Sequence, residues 1–461
     1  MSRYLNKTNL WPVLGVIVII AIGVFMRLTV YGDLRLSVAN ADTASYVESS
    51  KVNLLSWDAF TSYRPFTTNL VYQIFTPQDG YRYRALSDGA TGTIKRKIDR
   101  GFKDISVLQS IVSIFAWISL AWTFSAQLKN SVVKVVAAGF ILFFGFAPQI
   151  ADWDSVMSPE SFSISLFVLA FSLLIWLVFA FCKQPVANSI KIVGAIALCI
   201  TLFFWIFTRD VNAYSLIFLA LLVLGVYIIP RFRNTKFYLI ASVVVLLLFM
   251  VGEASARQRP LWQLALSHVW VSDILRFPAN MEYFREQGMP EQDTPAYTDW
   301  FNQHARTTYM KFLLAHPVYT TEKFFRDMNL AIAENMQPYF TYNESSSRPP
   351  LILAGNYIHT KSATIFIIVL LLLVLLWFQA IFQNRLDAYP WTWVMTWAFL
   401  SASATMFFSI FGDSWGLLRH ALSSTATYRL LTWMLLLIIF DFSLVRAERN
   451  PSPPSSPDIN S

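Results

Sequence analysis

Leu10–Tyr31 reads LWPVLGVIVIIAIGVFMRLTVY, and Asn40–Ser56, just beyond it, reads NADTASYVESSKVNLLS. The first stretch is a continuous apolar run, long enough for a bilayer that asks for about 20 residues. No small-residue cleavage pattern follows it, so it reads as a span and not as a removable leader. Wound as a helix at about 100° per residue, the second stretch puts Asp42, Ser45, Tyr46, Ser49, Asn53 and Ser56 on one side. Ala44, Val47, Leu54 and Leu55 fall on the other. This predicts an amphipathic helix along a membrane surface, with a carboxylate on its polar stripe.

Outward from these stretches, composition agrees with a membrane setting. The chain has 461 residues, 55% hydrophobic and 14% charged, with a mean hydropathy of +0.47. Soluble domains carry roughly 25% charged residues. Cys182 and Cys199, the two cysteines, lie in or beside apolar runs, where they serve as small packing residues. The formal charge of +8 is spread over loops, which suits orientation and anionic lipid contact; no nucleic-acid partner is expected.

Apolar runs of spanning length recur near 10–31, 105–127, 133–151, 161–182, 190–208, 213–230, 237–254, 362–383, 391–411 and 421–445. The expected fold is therefore an all-α polytopic membrane protein with about ten transmembrane helices. One set of connections carries Arg3, Lys7, Lys129, Lys134, Lys183, Lys191, Arg231, Arg233, Lys236, Arg385, Arg446 and Arg449. The short loops of the other set carry Arg209 and Arg419. The positive-inside rule then puts both termini in the cytoplasm. Two large extracytoplasmic loops, 32–104 and 255–361, are expected to carry amphipathic helices within a membrane domain spanning 1–446. The Pro/Ser-rich segment 447–461 reads as a disordered cytoplasmic tail.

Uncommon residues collect on the outer side. Gln149–Ser161, QIADWDSVMSPES, holds Asp152 and Asp154, which could bind a divalent cation (Mg or Mn), orient an acceptor or solvate the turn. Ser158, Pro159 and Glu160 also suit a helix start. Arg209 stands at the mouth between two spans, with Asp210 placed to cap the next helix and pair with it. Arg419 and His420 open the last span, where the helix dipole disfavours cations; an anionic ligand or Asp413 would balance them. Arg429 lies two to three turns deeper, where a cation must face a polar cavity. Arg27 fits snorkelling to the interface. Arg64, before Pro65, suits a lipid or substrate phosphate. His268, His304, His316 and His359 lack metal-ligand spacing, and the sequon Asn343-Glu344-Ser345 has no use in a bacterial protein. Phosphate loops, zinc-protease motifs and dinucleotide glycine patterns do not occur in the sequence.

An early span, an outer loop opening on Asp42-x-x-x-Tyr46, and a second outer turn with Asp152, Asp154, Pro159 and Glu160 resemble the polytopic family C glycosyltransferases. Arg64-Pro65, Phe284–Pro290 and Leu418–Leu422 are similar to segments of bacterial members. The resemblance implies transfer of a sugar from a polyprenyl-phosphate donor to a cell-envelope acceptor at the outer face of the bacterial inner membrane, with inversion. It implies Asp42 as base, Glu48 being the fallback about 120° away on the helix. Arg209, Arg419 and His420, with Arg64 or Arg429, would bind the lipid phosphate. Asp152 and Asp154 would orient the acceptor or hold a metal, and Tyr46, Glu48 and Glu160 join the substrate-binding set. This sequence departs from members with adjacent acids, since Thr43 follows Asp42. The rival expectations are an O-antigen-type polymerase or ligase, and a polytopic transporter or flippase.

Overall fold

The computed structural model describes residues 10–30, 34–75, 83–87, 94–98, 102–182, 186–228, 236–340, 348–383 and 385–449. Among these residues, nine helices are long and apolar enough to cross a membrane. The tenth expected span is a bent pair, Ser131–Phe146 and Pro148–Ser155, meeting at 44°. Pro148 explains the break, because it lacks an N–H and its ring clashes with the preceding turn. Asn130 starts this pair by accepting the N–H groups of Val132 and Val133 at 3.0 and 3.2 Å.

Large apolar side chains cover the outside of the bundle: Phe25 is 66% exposed and Leu371 63%, as lipid-facing positions require. Inside, Trp117, Trp205, Trp391 and Trp397 are fully buried. Gly145 lets two spans approach, since a Cβ there would sit 2.1 Å from the Trp117 ring. One buried carboxylate in this interior is satisfied from far along the chain. Asp441, buried in the last span, accepts the N–H groups of Lys129 and Asn130 at 3.0 and 2.7 Å and so closes the turn between two other spans.

The first long loop departs from a purely helical expectation. Its strands β1 (Val38–Ala39), β2 (Tyr83–Ser87) and β3 (Ile94–Ile98) form an antiparallel sheet in the order β1-β3-β2. Val38 pairs with Lys97, and its carbonyl accepts from Met157 N at 2.8 Å, tying the sheet to the second outer turn. The helix expected over 40–56 covers only Thr43–Ser49. Its polar stripe turns into the protein: Tyr46 is 1% and Ser49 7% exposed. An interfacial helix would do the opposite.

The second long loop is a set of short helices packed on Trp270, which meets Phe284, Trp300 and Phe301 at 4.7, 5.9 and 5.5 Å between ring centroids. Phe284–Pro290 is a helix ending within it. Met289 N donates to Phe284 O and Gly288 N to Arg285 O, both at 2.9 Å, with Gly288 left-handed at φ +86°. Buried Lys323 bridges Asp273 and Asp327 at 2.9 and 2.6 Å, and Ser414 from the last outer turn donates to Asp273 at 2.7 Å.

Arg27 does not snorkel. Its Nη2 donates to Asp154 at 2.9 Å with both side chains buried, and Ser161 completes the carboxylate at 2.6 Å. Asp154 holds the first span against the second outer turn. Removing one member of a buried pair strands the other charge, at a cost of about 3–5 kcal/mol. Arg27→Met should lower the thermal midpoint in detergent accordingly, and adding Asp154→Asn should recover much of the loss. Equal midpoints for Arg27→Met and wild type would contradict this role.

Candidate functional site

Asp42 sits at the start of helix Thr43–Ser49, and short-range bonds fix its direction. Asn40 Oδ1 accepts Asp42 N at 2.9 Å, while Thr43 Oγ1 accepts Asn40 N at 2.9 Å and donates to Met157 O at 3.2 Å. The loop's start is thus pinned to the second outer turn. Asn69 Nδ2 performs the same service for the segment that follows, donating to Ala59 O, Ser62 Oγ and Arg64 O at 3.0, 2.7 and 2.8 Å.

Arg64 is held hard against this helix. Its N–H donates to Ser49 Oγ at 2.9 Å, Nε to Ser45 Oγ at 2.9 Å, and Nη2 to Ser45 Oγ and Asp42 Oδ1 at 2.6 and 3.0 Å. The guanidinium stacks over Tyr46 and Tyr63, 4.4 and 5.0 Å from the ring centroids. The second oxygen of Asp42 meets Arg419 Nη1 at 2.5 Å. Burial raises the Asp42 carboxyl, and Arg419 and Arg64 outweigh it, leaving the group below its ordinary value of 3.8.

Arg419 carries the cluster onward. Its Nε lies 3.3 Å from Glu160 Oε1, and Arg209 Nη1 lies 3.9 Å from the same oxygen. Glu160 Oε2 is buried with no hydrogen-bond partner among the described residues. Burial lowers Arg419 and the carboxylates of Glu160 and Asp42 raise it, with a net upward shift; Arg209 is lowered by burial against the pull of Glu160. Arg209 donates to the carbonyls of Arg419 and His420, both at 3.0 Å, and to His420 Nδ1. The positive charge at the start of the last span is balanced by Asp42 and Glu160 beside Arg419. His420 Nε2 faces Asp413 at 3.4 Å. Burial lowers the imidazole below 6.5 despite Asp413. Gly416, left-handed at φ +67°, turns the chain into the short helix Leu417–His420 that delivers these two residues.

Of the residues singled out from sequence, Asp42, Tyr46, Arg64, Glu160, Arg209, Arg419 and His420 come together. Four do not. Glu48 points to solvent and pairs with Lys51 at 2.6 Å, both side chains over 60% exposed. Asp152 is engaged by Arg348, both buried, and Asp154 by Arg27. These carboxylates face inward to guanidinium groups, and no group of three or more metal-ligating side chains occurs among the described residues. Arg429 donates to the carbonyls of Thr360, Ile332 and Glu334 at 2.9, 2.9 and 3.3 Å. It stitches the second long loop to the last span. Asp210 pairs with Arg259 and not Arg209, and Ser158 Oγ makes no capping bond. His359, buried against Phe144, is pushed down to about 3 and is a packing residue. The sequon 343–345 and residues 450–461 lie outside the described residues.

Tyr339 was invisible to sequence reading. Its hydroxyl lies in the field of Arg419, Glu160 and Asp42. Gln337 holds its loop by accepting Tyr339 N and Phe340 N at 2.7 and 3.0 Å, and Trp153 packs edge-on against the ring at 6.1 Å. No local motif marks it; only the Arg429 clasp upstream brings it here.

No protein-family model matches the chain, and no curated protein does. Among solved structures, the archaeal oligosaccharyltransferase AglB of Archaeoglobus fulgidus, in complex with an inhibitory peptide and a dolichol-phosphate, is similar over 99% of this chain and 53% of its own, at 12% identity and a TM-score of 0.43. A form tethered to an acceptor peptide matches over 96% and 51%, at 14% and 0.43. A complex with Zn and sulfate matches over 95% and 52%, at 13% and 0.42. The chain spans about half the length of these structures, and a likeness this distant transfers no residue role.

Because Asp42 titrates below its unfolded value in the folded chain, its contribution to stability is full above pH 3.8 and is lost as pH falls through the lower folded value. Wild-type thermal midpoints should fall on acidification below about pH 4, and Asp42→Asn should lack that part of the decline. Parallel pH profiles for the two proteins would contradict the double arginine contact.

Proposed function

We propose that this chain is a membrane glycosyltransferase that moves a sugar from a polyprenyl-phosphate donor to a hydroxyl acceptor on the extracytoplasmic side, with inversion. The observation that carries the reading is the meeting of Asp42 and Glu160 with Arg64, Arg209 and Arg419 at one end of the bundle. That end is where Glu160 opens one span, Ile206 closes another and Leu422 opens the last. A carboxylate among guanidinium groups at a bilayer boundary suits a substrate with a lipid tail, an anionic head and a sugar.

In the reaction, the acceptor oxygen attacks the anomeric carbon as Asp42 takes its proton. The bond from that carbon to the phosphate oxygen breaks, and the phosphate leaves with the electron pair. A phosphate is a good leaving group, so no strong general acid is required; cations that meet the growing charge are. Arg209 and Arg419 take that role. Arg64 orients Asp42, Tyr46 supports Arg64 from beneath, and Glu160 aligns the two phosphate-facing arginines. The donor is expected to be a lipid-linked single sugar, the acceptor a cell-envelope glycan, lipid or protein, and the setting the bacterial inner membrane with both termini cytoplasmic. A divalent cation, if used, would come with the substrate phosphate, since Asp152 and Asp154 are committed elsewhere.

Transfer of radiolabelled sugar from lipid-linked donors in membranes tests this. Asp42→Asn should slow transfer about 10²–10⁴-fold, the usual worth of a general base. Arg419→Gln and Arg209→Gln should each cost about 10²–10³-fold. Glu48→Gln should leave the rate unchanged. Wild-type transfer by a folded Asp42→Asn protein would end the base assignment.

A further inference from the structure

We propose that Arg419 is a shared ligand: it masks Asp42 until the donor phosphate claims it, so that the lipid donor must bind before the base can act. The inference rests on the glycosyltransferase reading and concerns the order of events at the same cluster.

The two arginines on Asp42 are not equivalent. Arg64 spends its N–H groups on Ser45 and Asp42, is anchored through its backbone to Ser49, and lies between two tyrosine rings. It is built to stay. Arg419 hangs from a four-residue helix behind the left-handed Gly416, and its side chain is more exposed than that of Arg64, 18% against 10%. It divides itself between two carboxylates, Asp42 Oδ2 at 2.5 Å and Glu160 Oε1 at 3.3 Å, and satisfies neither alone. Glu160 Oε2 has no hydrogen-bond donor among the described residues.

The charge count sets the competition. Among the groups in direct ion-pair contact, the guanidinium groups of Arg64, Arg209 and Arg419 outnumber the carboxylates of Asp42 and Glu160 by one, an excess that the single negative charge of a phosphodiester can meet. That anion is attracted by Arg209 and Arg419 and repelled by Asp42 and Glu160 at close range. It can be held only as Arg419 turns its fork from Asp42 toward the phosphate, a geometry that guanidinium groups favour. Asp42 Oδ2 is then open to a hydroxyl proton while Arg64 still aims the carboxylate. Without the donor, Asp42 stays paired and a poor base, which limits idle attack by water.

Coupling of this kind is reciprocal, so it is measurable without turnover. The probe is undecaprenyl phosphate in detergent, with its dissociation constant read from tryptophan fluorescence. Asp42→Asn frees Arg419 and should tighten binding at least about fivefold, the lower end of usual site coupling. In an Arg419→Gln background the same substitution should give no tightening. Glu160→Gln, which unloads Arg419 from its other side, should reproduce the pattern and carries the test if Asp42→Asn does not fold. Unchanged or weaker binding by folded Asp42→Asn overturns the proposal, as does tightening that persists without Arg419, which would be a general field effect. Failure of every folded protein, wild type included, to bind the probe would instead remove the donor reading on which the proposal stands.

Discussion

Arg419 stands between Asp42 and Glu160, and that one bridge joins three parts of the chain that share no local sequence signal. Asp42 comes from the first long loop, Glu160 from the second outer turn, and Arg419 from the turn before the last span. Arg209 binds the carbonyls behind Arg419 and adds a fourth. A cation beside one buried and one half-buried carboxylate repays their desolvation only if its geometry is good. Fixing it employs Gly416, the Asn40–Thr43 turn and Ser409, which donates to His420 O at 2.8 Å.

Most of the arginines in and near the membrane hold the fold, which sets apart the pair proposed to meet a ligand. Arg27 is consumed by Asp154, Arg348 by Asp152, Arg259 by Asp210, and Arg429 by three backbone carbonyls. Each fastens an outer element to a span or to another outer element. What distinguishes Arg209 and Arg419 is that they converge on a single oxygen of Glu160, while its other oxygen has no donor among the described residues. Such an arrangement is poor value as a structural clasp and sensible as a place where an anion is exchanged.

The membrane architecture was legible because its signal is long and local: among the described residues nine of the ten apolar runs form helices long and apolar enough to cross a membrane, and the tenth is the pair bent at Pro148. The first long loop was less so. Residues 95–97 lie in β3, which pairs with the neighbouring strand β2 and with β1 from the start of the loop. The polar stripe at Asp42, Ser45, Tyr46 and Ser49 was read correctly as one face and assigned to the wrong surroundings, since periodicity reports a face but not its neighbour. Arg27 and Asp154, separated by 127 positions, could not be paired from sequence. Tyr339 carries no motif at all. Conversely, seven of the residues chosen for their chemistry gather at one place, because an arginine or carboxylate at the mouth of a span is costly without a partner.

The most direct measurement of the central claim is native mass spectrometry of the purified protein, with bound lipids released and identified. The account predicts a polyprenyl monophosphate carrying one sugar, retained by wild type and lost from an Arg209→Gln/Arg419→Gln protein that still folds. An oligosaccharide on a pyrophosphate, or a folded wild-type protein with no polyprenyl lipid at all, would contradict it.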